Sequence, residues 1–291
     1  MRLNVAMLSD VGRIRETNED ASSMFLGSKY PNHRSRGDIF VVSDGMGGAS
    51  AGEIASSMAT KIIIDAYYQN SQPAKSVEDI LCDAVCKANS EIFRLSQDKC
   101  ELKGMGCTVT AAVFVKNRVV IANVGDSRAY RIRKNEILQI TEDHSWIAEQ
   151  IKNNVISLDQ AKTHPYRNVI TRALGTNDIV QPDLFSHKIA RDDVYLLCSD
   201  GLHGLVSDNE IANTIAAHNL KIACRRLIDI ANERGGSDNI TALLVKVGKT
   251  GKFAFEQDNT IKISTEVPRI ISLFNALQDA FRNRRIARNA K

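Results

Sequence analysis

Between residues 108 and 133, three apolar and β-branched runs (108–115, 119–123 and 129–133) follow one another with breaks too short to hold a helix. Lys116-Asn117 reads as a tight hairpin turn, and Lys134-Asn135 as another. A parallel pair needs a crossover of a dozen residues or more, so these runs predict strands paired antiparallel. Further strands are expected at 3–8, 38–43, 194–198 and 240–247. Two long helices fit between 49 and 98, broken near Ser71-Gln72-Pro73. In the first, Ile54, Met58, Ile62 and Ala66 recur every fourth residue, the period of a half-buried helix. A second helical pair fits 207–217 and 220–234. Helix pairs entering and leaving a set of antiparallel strands predict an α+β fold, two sheets packed on each other with helices outside. The stretch from His144 to Pro182 is polar and weakly patterned, and reads as an insertion or flap.

Composition narrows the function classes. At 291 residues, 43% hydrophobic and 25% charged, the chain can bury a core without disulfides or a structural metal. No run of about 18 apolar residues suggests a membrane span, and Asp10 interrupts the start before a secretory signal could develop. Cys82, Cys86, Cys100, Cys107, Cys198 and Cys224 form no CxxC pair, and the six histidines no HExxH. A thiolate zinc site is disfavoured, and a reducing cytoplasm is the expected compartment. Cys82 and Cys86 share a helix face, where two buried small hydrophobes explain them best. Residues 249–291 carry nine Lys/Arg against four Asp/Glu, whereas the preceding 248 residues carry 29 against 30. The body is balanced and shows no basic face of its own, so nucleic acid is not an expected partner.

Acidic residues recur at turns directly flanking the apolar runs. Asp44 follows IFVVS, Asp126 follows VVIANVG, Asp200 follows VYLLCS, and Asp238 follows Gly235-Gly236-Ser237. One such aspartate is ordinarily a turn or helix cap. Four in one domain imply a cluster if the strand ends converge. Unit charges ~4 Å apart repel by about 4 kcal/mol at an effective dielectric of ~20, so the cluster must protonate or bind cations. Oxygen ligands select hard divalent ions, magnesium or manganese.

The segments SDVGRIRETNED (9–20), SDGMGGASAGEIAS (43–56), GMGCTVTAAV (104–113), ANVGDSRAY (122–130), SDGLHGLVSD (199–208) and GGSDNITALLV (235–245) resemble, in order, the motifs of metal-dependent serine/threonine protein phosphatases of the type 2C or PPM family. The methionine of DGMGG is most similar to the bacterial branch. The resemblance implies a four-layer α-β-β-α sandwich of two antiparallel sheets, and hydrolysis of phosphoserine and phosphothreonine on proteins. The attacking group would be a hydroxide bridging two Mn2+ or Mg2+ ions. Carried over by position, Asp44 would bridge both ions, the Gly45 carbonyl would ligate one, and Asp200 and Asp238 would complete the other. Asp126, with Asp200, would hold a third, weaker ion. Glu19 and Asp20 would hold metal-bound waters, and Arg15 would grip the substrate phosphate. Lysine could match the charge of Arg15 but not its bidentate geometry.

Met46 stands where eukaryotic relatives place a histidine suited to protonating the leaving group, so metal-bound water is the expected donor here. His144 and His164 are read as ordinary surface or flap histidines. Gly45-Met46-Gly47-Gly48 lacks the Lys-Ser/Thr of a P-loop and is better explained by close backbone approach to a metal. Cys107 in Gly106-Cys107-Thr108 is given a packing role.

Two rival readings stay open: a catalytically dead binding module of the same fold, and a phosphatase of small phosphoesters. The phosphorylated protein substrates would be those of a serine/threonine kinase. The expected organisation is a phosphatase domain over 1–248, a polar linker over 249–268, and a basic amphipathic helix over 269–291. In that helix Ile270, Phe274, Leu277 and Phe281 form an apolar stripe after Pro268 and before the run Arg282-Asn283-Arg284-Arg285. The stripe would cover the catalytic body or a second copy, dock a protein partner, or, least favoured, meet a membrane surface.

Overall fold

The computed structural model of the chain describes residues 2–47, 51–70 and 75–248. The expected linker and C-terminal helix lie outside the described residues, as do Gly48 and the break at Ser71-Gln72-Pro73. In chain order, the first half runs β1 (Arg2–Asp10), β2 (Ala21–Leu26), β3 (Asp38–Ser43), β4 (Gly45–Met46), α1 (Ala51–Gln69) and α2 (Val77–Asp98). Then come β5 (Gly106–Cys107), β6 (Val109–Val115), β7 (Arg118–Val124), β8 (Arg128–Arg133) and β9 (Glu136–Gln139). The remainder is α3 (Trp146–Lys152), α4 (Leu158–Thr163), β10 (Asp183–Lys188), β11 (Val194–Cys198), α5 (Asp200–His203), α6 (Asp208–Ala217), α7 (Leu220–Glu233) and β12 (Ile240–Gly248).

All strand pairs are antiparallel. One sheet has the order β1-β12-β11-β8-β9, the other β10-β7-β6-β3-β2, and β4 and β5 form a separate two-stranded ribbon. Phe114 of one sheet packs edge-on against both Phe40 and Tyr195, the last from the opposite sheet, so the two sheets meet through an aromatic seam. On the outer face of the first sheet, Leu196, Leu244 and Tyr130 pack with Ile211, Leu227 and Ile228 of α6 and α7. α1 and α2 cover the second sheet. The four-layer α-β-β-α order is thus the one expected.

The helices start where local chemistry satisfies their free amides. Ser76 and Asp79 form a reciprocal capping box on α2, Ser207 and Glu210 form another on α6, and Asn219 caps α7. Several details differ from expectation, among them the short strands β4 and β5 and the helices α3 and α4 within the flap, none of which the sequence signalled. β2 and β10 were not anticipated; β10 is an edge strand whose burial alternates between half-buried and exposed. In α1 the buried residues are Ala51, Gly52, Ala55, Ser56, Ala59, Thr60, Ile63, Ile64 and Tyr67, while Ile54, Met58, Ile62 and Ala66 are only half-buried. Cys82 and Cys86 are also half-buried rather than core residues.

Candidate metal and phosphate site

Register brings the acidic residues to one edge of the sandwich. Pairing of Ala21 with Ser43 sets Asp20 beside Asp44. Pairing of Cys198 with both Arg128 and Ala242 sets Asp200 near Asp126 and near the start of β12. Asp10 opposite Ile240 then lays the 11–20 loop over the 235–239 turn. Gly12 shows how tight that overlap is. Its φ is +82°, and a Cβ there would stand 2.2 Å from the Asp238 carbonyl oxygen, so only glycine fits. Arg13 N–H donates to the Gly236 carbonyl at 2.7 Å. Asn239, which sequence reasoning did not single out, staples the loop. Its Nδ2 donates to the carbonyls of Val11 and Thr17, and its Oδ1 accepts from Glu19 N–H at 2.8 Å.

Glu19 and Gly45 meet through the backbone, Gly45 N–H donating to Glu19 O at 3.1 Å. A Cβ on Gly45 would lie 2.2 Å from the Gly52 carbonyl oxygen of α1. The glycine after Asp44 therefore permits close approach of the α1 backbone; the sequence reading had it face a metal instead. Ser199 Oγ donates to Asp20 Oδ2 at 2.7 Å.

Burial and mutual repulsion act together on these carboxyls. Burial pushes the Asp44 carboxyl well above its usual range, and the charges of Asp20, Asp200, Asp126 and Asp238 add to the shift. Asp20 is pushed up to about 7, by burial first and by Asp200 and Asp238 against hydrogen bonds from Thr241 and Ser199. Asp126 is also pushed up to about 7, by burial and then by Asp200 and Asp143. Asp200 is raised by burial and by Asp238, and relieved by a hydrogen bond shared with Asp44. Glu19 is raised by burial, with Arg15 opposing. Asp20 Oδ1, Asp126 Oδ1 and Asp200 Oδ1 are buried without a hydrogen-bond partner. Orphaned anionic oxygens that repel one another are what a divalent cation would satisfy. Among the described residues no three His, Cys, Asp or Glu side chains close on a single point.

Arg15 reaches the cluster. Its NH2 donates to Asp238 Oδ2 at 2.9 Å, and both the hydrogen bond and the charge of Asp238 hold the guanidinium firmly protonated. All eight residues expected at the site, Arg15, Glu19, Asp20, Asp44, Gly45, Asp126, Asp200 and Asp238, thus belong to one edge of the fold. Cys107 is fully buried with its thiol pushed up to about 12 by burial, consistent with packing.

His144 differs from expectation. It is buried, with only 6% exposed. Its Nδ1 accepts from Gly125 N–H at 3.1 Å, so Nε2 carries the proton and donates to Asp183 at 3.0 Å. It anchors the turn before Asp126, and no periodicity could have signalled it. His164 is a flap histidine as expected, stacked on Trp146 with centroids 4.8 Å apart. His203, also unanticipated, donates through Nε2 to the Asp126 carbonyl at 2.9 Å. Burial holds its pKa down at about 3, so it is neutral.

A family profile described as Protein phosphatase 2C matches residues 5–240. The serine/threonine phosphatase stp of Listeria welshimeri is 38% identical over 241 residues, spanning 82% of this chain and 93% of that protein. Among solved structures, the Mycobacterium tuberculosis serine/threonine phosphatase PstP superposes with a TM-score of 0.75 at 33% identity, over 84% of this chain and 99% of that one. The catalytic domain of a PstP in complex with two manganese ions gives a TM-score of 0.73 at 32% identity, over 85% and 99% of the two chains.

Proposed function

The chain belongs to the protein phosphatase 2C family, and on that premise we propose that it is a metal-dependent phosphatase of phosphoserine and phosphothreonine on proteins. The observation that carries this reading is the set of mutually repelling carboxylates with three buried oxygens left unpartnered. Two Mn2+ or Mg2+ ions fit that donor set. When bound, such ions supply a hydroxide nucleophile at neutral pH and offset charge on the phosphoryl group.

The chain's own residues do the placing. Asp44, with the Gly45 carbonyl, Asp200 and Asp238, would hold the pair of ions, and Asp126 with Asp200 would hold a third more weakly. Glu19 and Asp20 orient water. Arg15 binds the substrate phosphate: its contact with Asp238 occupies one guanidinium nitrogen and leaves the side chain 51% exposed. The rest of the fork is then available to an incoming oxyanion. Met46 donates no proton, so water protonates the leaving alkoxide.

Specificity for protein substrates belongs to the 144–182 flap, which exposes Val155, Tyr166, Val169 and Ile179. The cytoplasm, a signalling role and substrates shared with a serine/threonine kinase complete the reading, supported by the cysteine pattern and by the relatives' names. Among the described residues no helix is long and apolar enough to cross a membrane. Residues 249–268 as a linker and 269–291 as a basic amphipathic segment, whose stripe would meet the body, a second copy, a protein partner or, least favoured, a membrane surface, remain a proposal from the sequence.

The test is hydrolysis of p-nitrophenyl phosphate, phosphothreonine peptides and phosphotyrosine peptides with and without manganese. Manganese-dependent turnover that favours phosphothreonine is expected. Activity on the small ester alone would favour the small-phosphoester reading, and none on any substrate the dead-module reading.

A further inference from the structure

Thr108 has no atom in the acidic cluster, yet it is tied to both ends of it. It is 1% exposed. Its N–H donates to the Asp44 carbonyl at 2.8 Å, and its Oγ1 accepts from Asp44 N–H at 3.0 Å, so the backbone of Asp44 is gripped on both sides. Its own carbonyl accepts from Ser43 Oγ at 2.6 Å. On the opposite side, Oγ1 lies 2.7 Å from Ser127 Oγ, a fully buried hydroxyl directly after Asp126. The same side chain presses on the residue before Asp126: a Cβ on Gly125, whose φ is +103°, would lie 2.6 Å from Thr108 Cβ and Cγ2. One side chain therefore straddles the Asp126 turn with a methyl on Gly125 and a hydroxyl on Ser127, and spends the same hydroxyl on Asp44.

We propose that the Thr108 side chain is a positioning element that fixes Asp44 relative to Asp126, and so couples the tight pair of metal sites to the third. The inference rests on the metal-binding reading above for what Asp44 and Asp126 hold. The coupling is physical. A hydroxyl that accepts from the Asp44 amide and bonds Ser127 cannot follow a shift of one turn without loosening its hold on the other. Buried polar links of this kind have no solvent to replace a lost partner. Misplacement of a reacting constellation by about 1 Å costs on the order of a hundredfold in rate. The two main-chain bonds of Thr108 do not involve its side chain, so valine or serine at this position isolates the link.

The experiment uses the full chain and compares Thr108→Val, which keeps shape and loses the hydroxyl, with Thr108→Ser, which keeps the hydroxyl. Three quantities are read: the manganese isotherm by calorimetry, kcat and KM on p-nitrophenyl phosphate, and amide exchange of Asp44 in the metal-free protein. For Thr108→Val we expect about a tenfold lower kcat, KM within about twofold, and about a tenfold higher manganese requirement. Asp44 exchange should be at least about tenfold faster, its amide having lost its acceptor. Thr108→Ser should recover all of these to within about threefold. In an Asp126→Ala background the further loss from Thr108→Val should shrink to about twofold or less, because coupled residues are not additive. An unchanged isotherm and unchanged Asp44 exchange in Thr108→Val would overturn the proposal. So would equal impairment of Thr108→Ser, or full additivity with Asp126→Ala. If Thr108→Val does not fold, Ser127→Ala removes the same link from the other side, and a wild-type isotherm there overturns it as well. A wild-type protein with no manganese-dependent hydrolysis would defeat the phosphatase reading, whereas the isotherm and the Asp44 exchange still read the link.

Discussion

Two groups of buried charge flank Asp126 and handle it in opposite ways. On one side Arg128 clasps Asp143, Nε donating to Oδ1 at 2.9 Å and NH2 to Oδ2 at 2.6 Å, with NH1 on Tyr130 Oη. On the other, Asp20, Asp44, Asp126 and Asp200 face one another with orphaned oxygens. The first group is complete within the chain. The second is finished only by protons or by cations from outside. Paired charge at the fold's edge is structure; unpaired charge of one sign is a site.

The largest expected effect follows from breaking the unpaired group. Asp44→Asn, Asp200→Asn and Asp238→Asn should each lower turnover by roughly a hundredfold or more, since each removes an anionic ligand from an ion that generates the nucleophile. Each should also raise the melting temperature of the metal-free protein by relieving repulsion. Kinetics at limiting manganese and calorimetry of the metal-free protein check both, and near-normal turnover in all three would sink the two-metal assignment.

Next comes pH. Asp20 and Asp126 have folded-state pKa values near 7, against 3.8 for the unfolded chain. Their protonated forms are favoured by the fold, so they contribute stability below about pH 4 that is lost as pH rises through about 7. Metal-free protein should therefore lose thermal stability between about pH 4 and 7 relative to the manganese-loaded protein. Subtracting the two melting curves isolates the cluster from groups such as Glu210, whose pKa is held down at about 2 by Arg234. A difference that stays flat across that window would count against the carboxylate cluster.

Breaking the paired group should do the reverse. Asp143→Ala strands the Arg128 guanidinium, at a cost of about 3 kcal/mol, or roughly 6–12 °C in melting temperature. Metal stoichiometry should persist. Loss of metal binding without loss of stability would place Asp143 in the site instead.

Smaller effects remain. Arg15→Ala should lower kcat/KM about tenfold or somewhat more, with the manganese isotherm little changed. Kinetics indistinguishable from wild type on phosphopeptides would make Arg15 a solvated loop residue. Smallest of all, a 1–248 truncation should keep manganese-dependent turnover of p-nitrophenyl phosphate within about twofold while changing solubility, self-association or activity toward the physiological target. Circular dichroism, light scattering and turnover of both chains decide it. An unfolded truncation would make the tail part of the catalytic fold, and identical behaviour throughout would make it dispensable.

What the sequence disclosed and what it hid divide along physical lines. The central strands were legible because runs such as IFVVS and YLLC are buried on both faces and continuously apolar. β2 and β10 were not, because ASSMFL begins polar and DLFSHK alternates on an edge. The site's aspartates stood out because each closely flanks a strand. Asn239, Thr108 and His144 did not, because their work is hydrogen bonding to residues distant in sequence: Asn239 reaches Val11 across 228 positions. In α1 the every-fourth-residue stripe of Ile54, Met58 and Ile62 drew the eye, whereas the buried face mixes small residues such as Ala55 and Ala59 with Ile63 and Tyr67.

The flap is tied off at its root. Thr171 N–H donates to the His144 carbonyl, Ser145 and Ile170 form an isolated bridge, and Leu174 exchanges two backbone hydrogen bonds with Cys107 beside the Asp44–Met46 segment. A loop whose ends are fastened to each other can change length at little entropic cost, because closure depends only logarithmically on length. The segment between 146 and 169 is thus a replaceable cassette. Evolution, or a designer, can exchange its contents while the fastened root keeps its geometry.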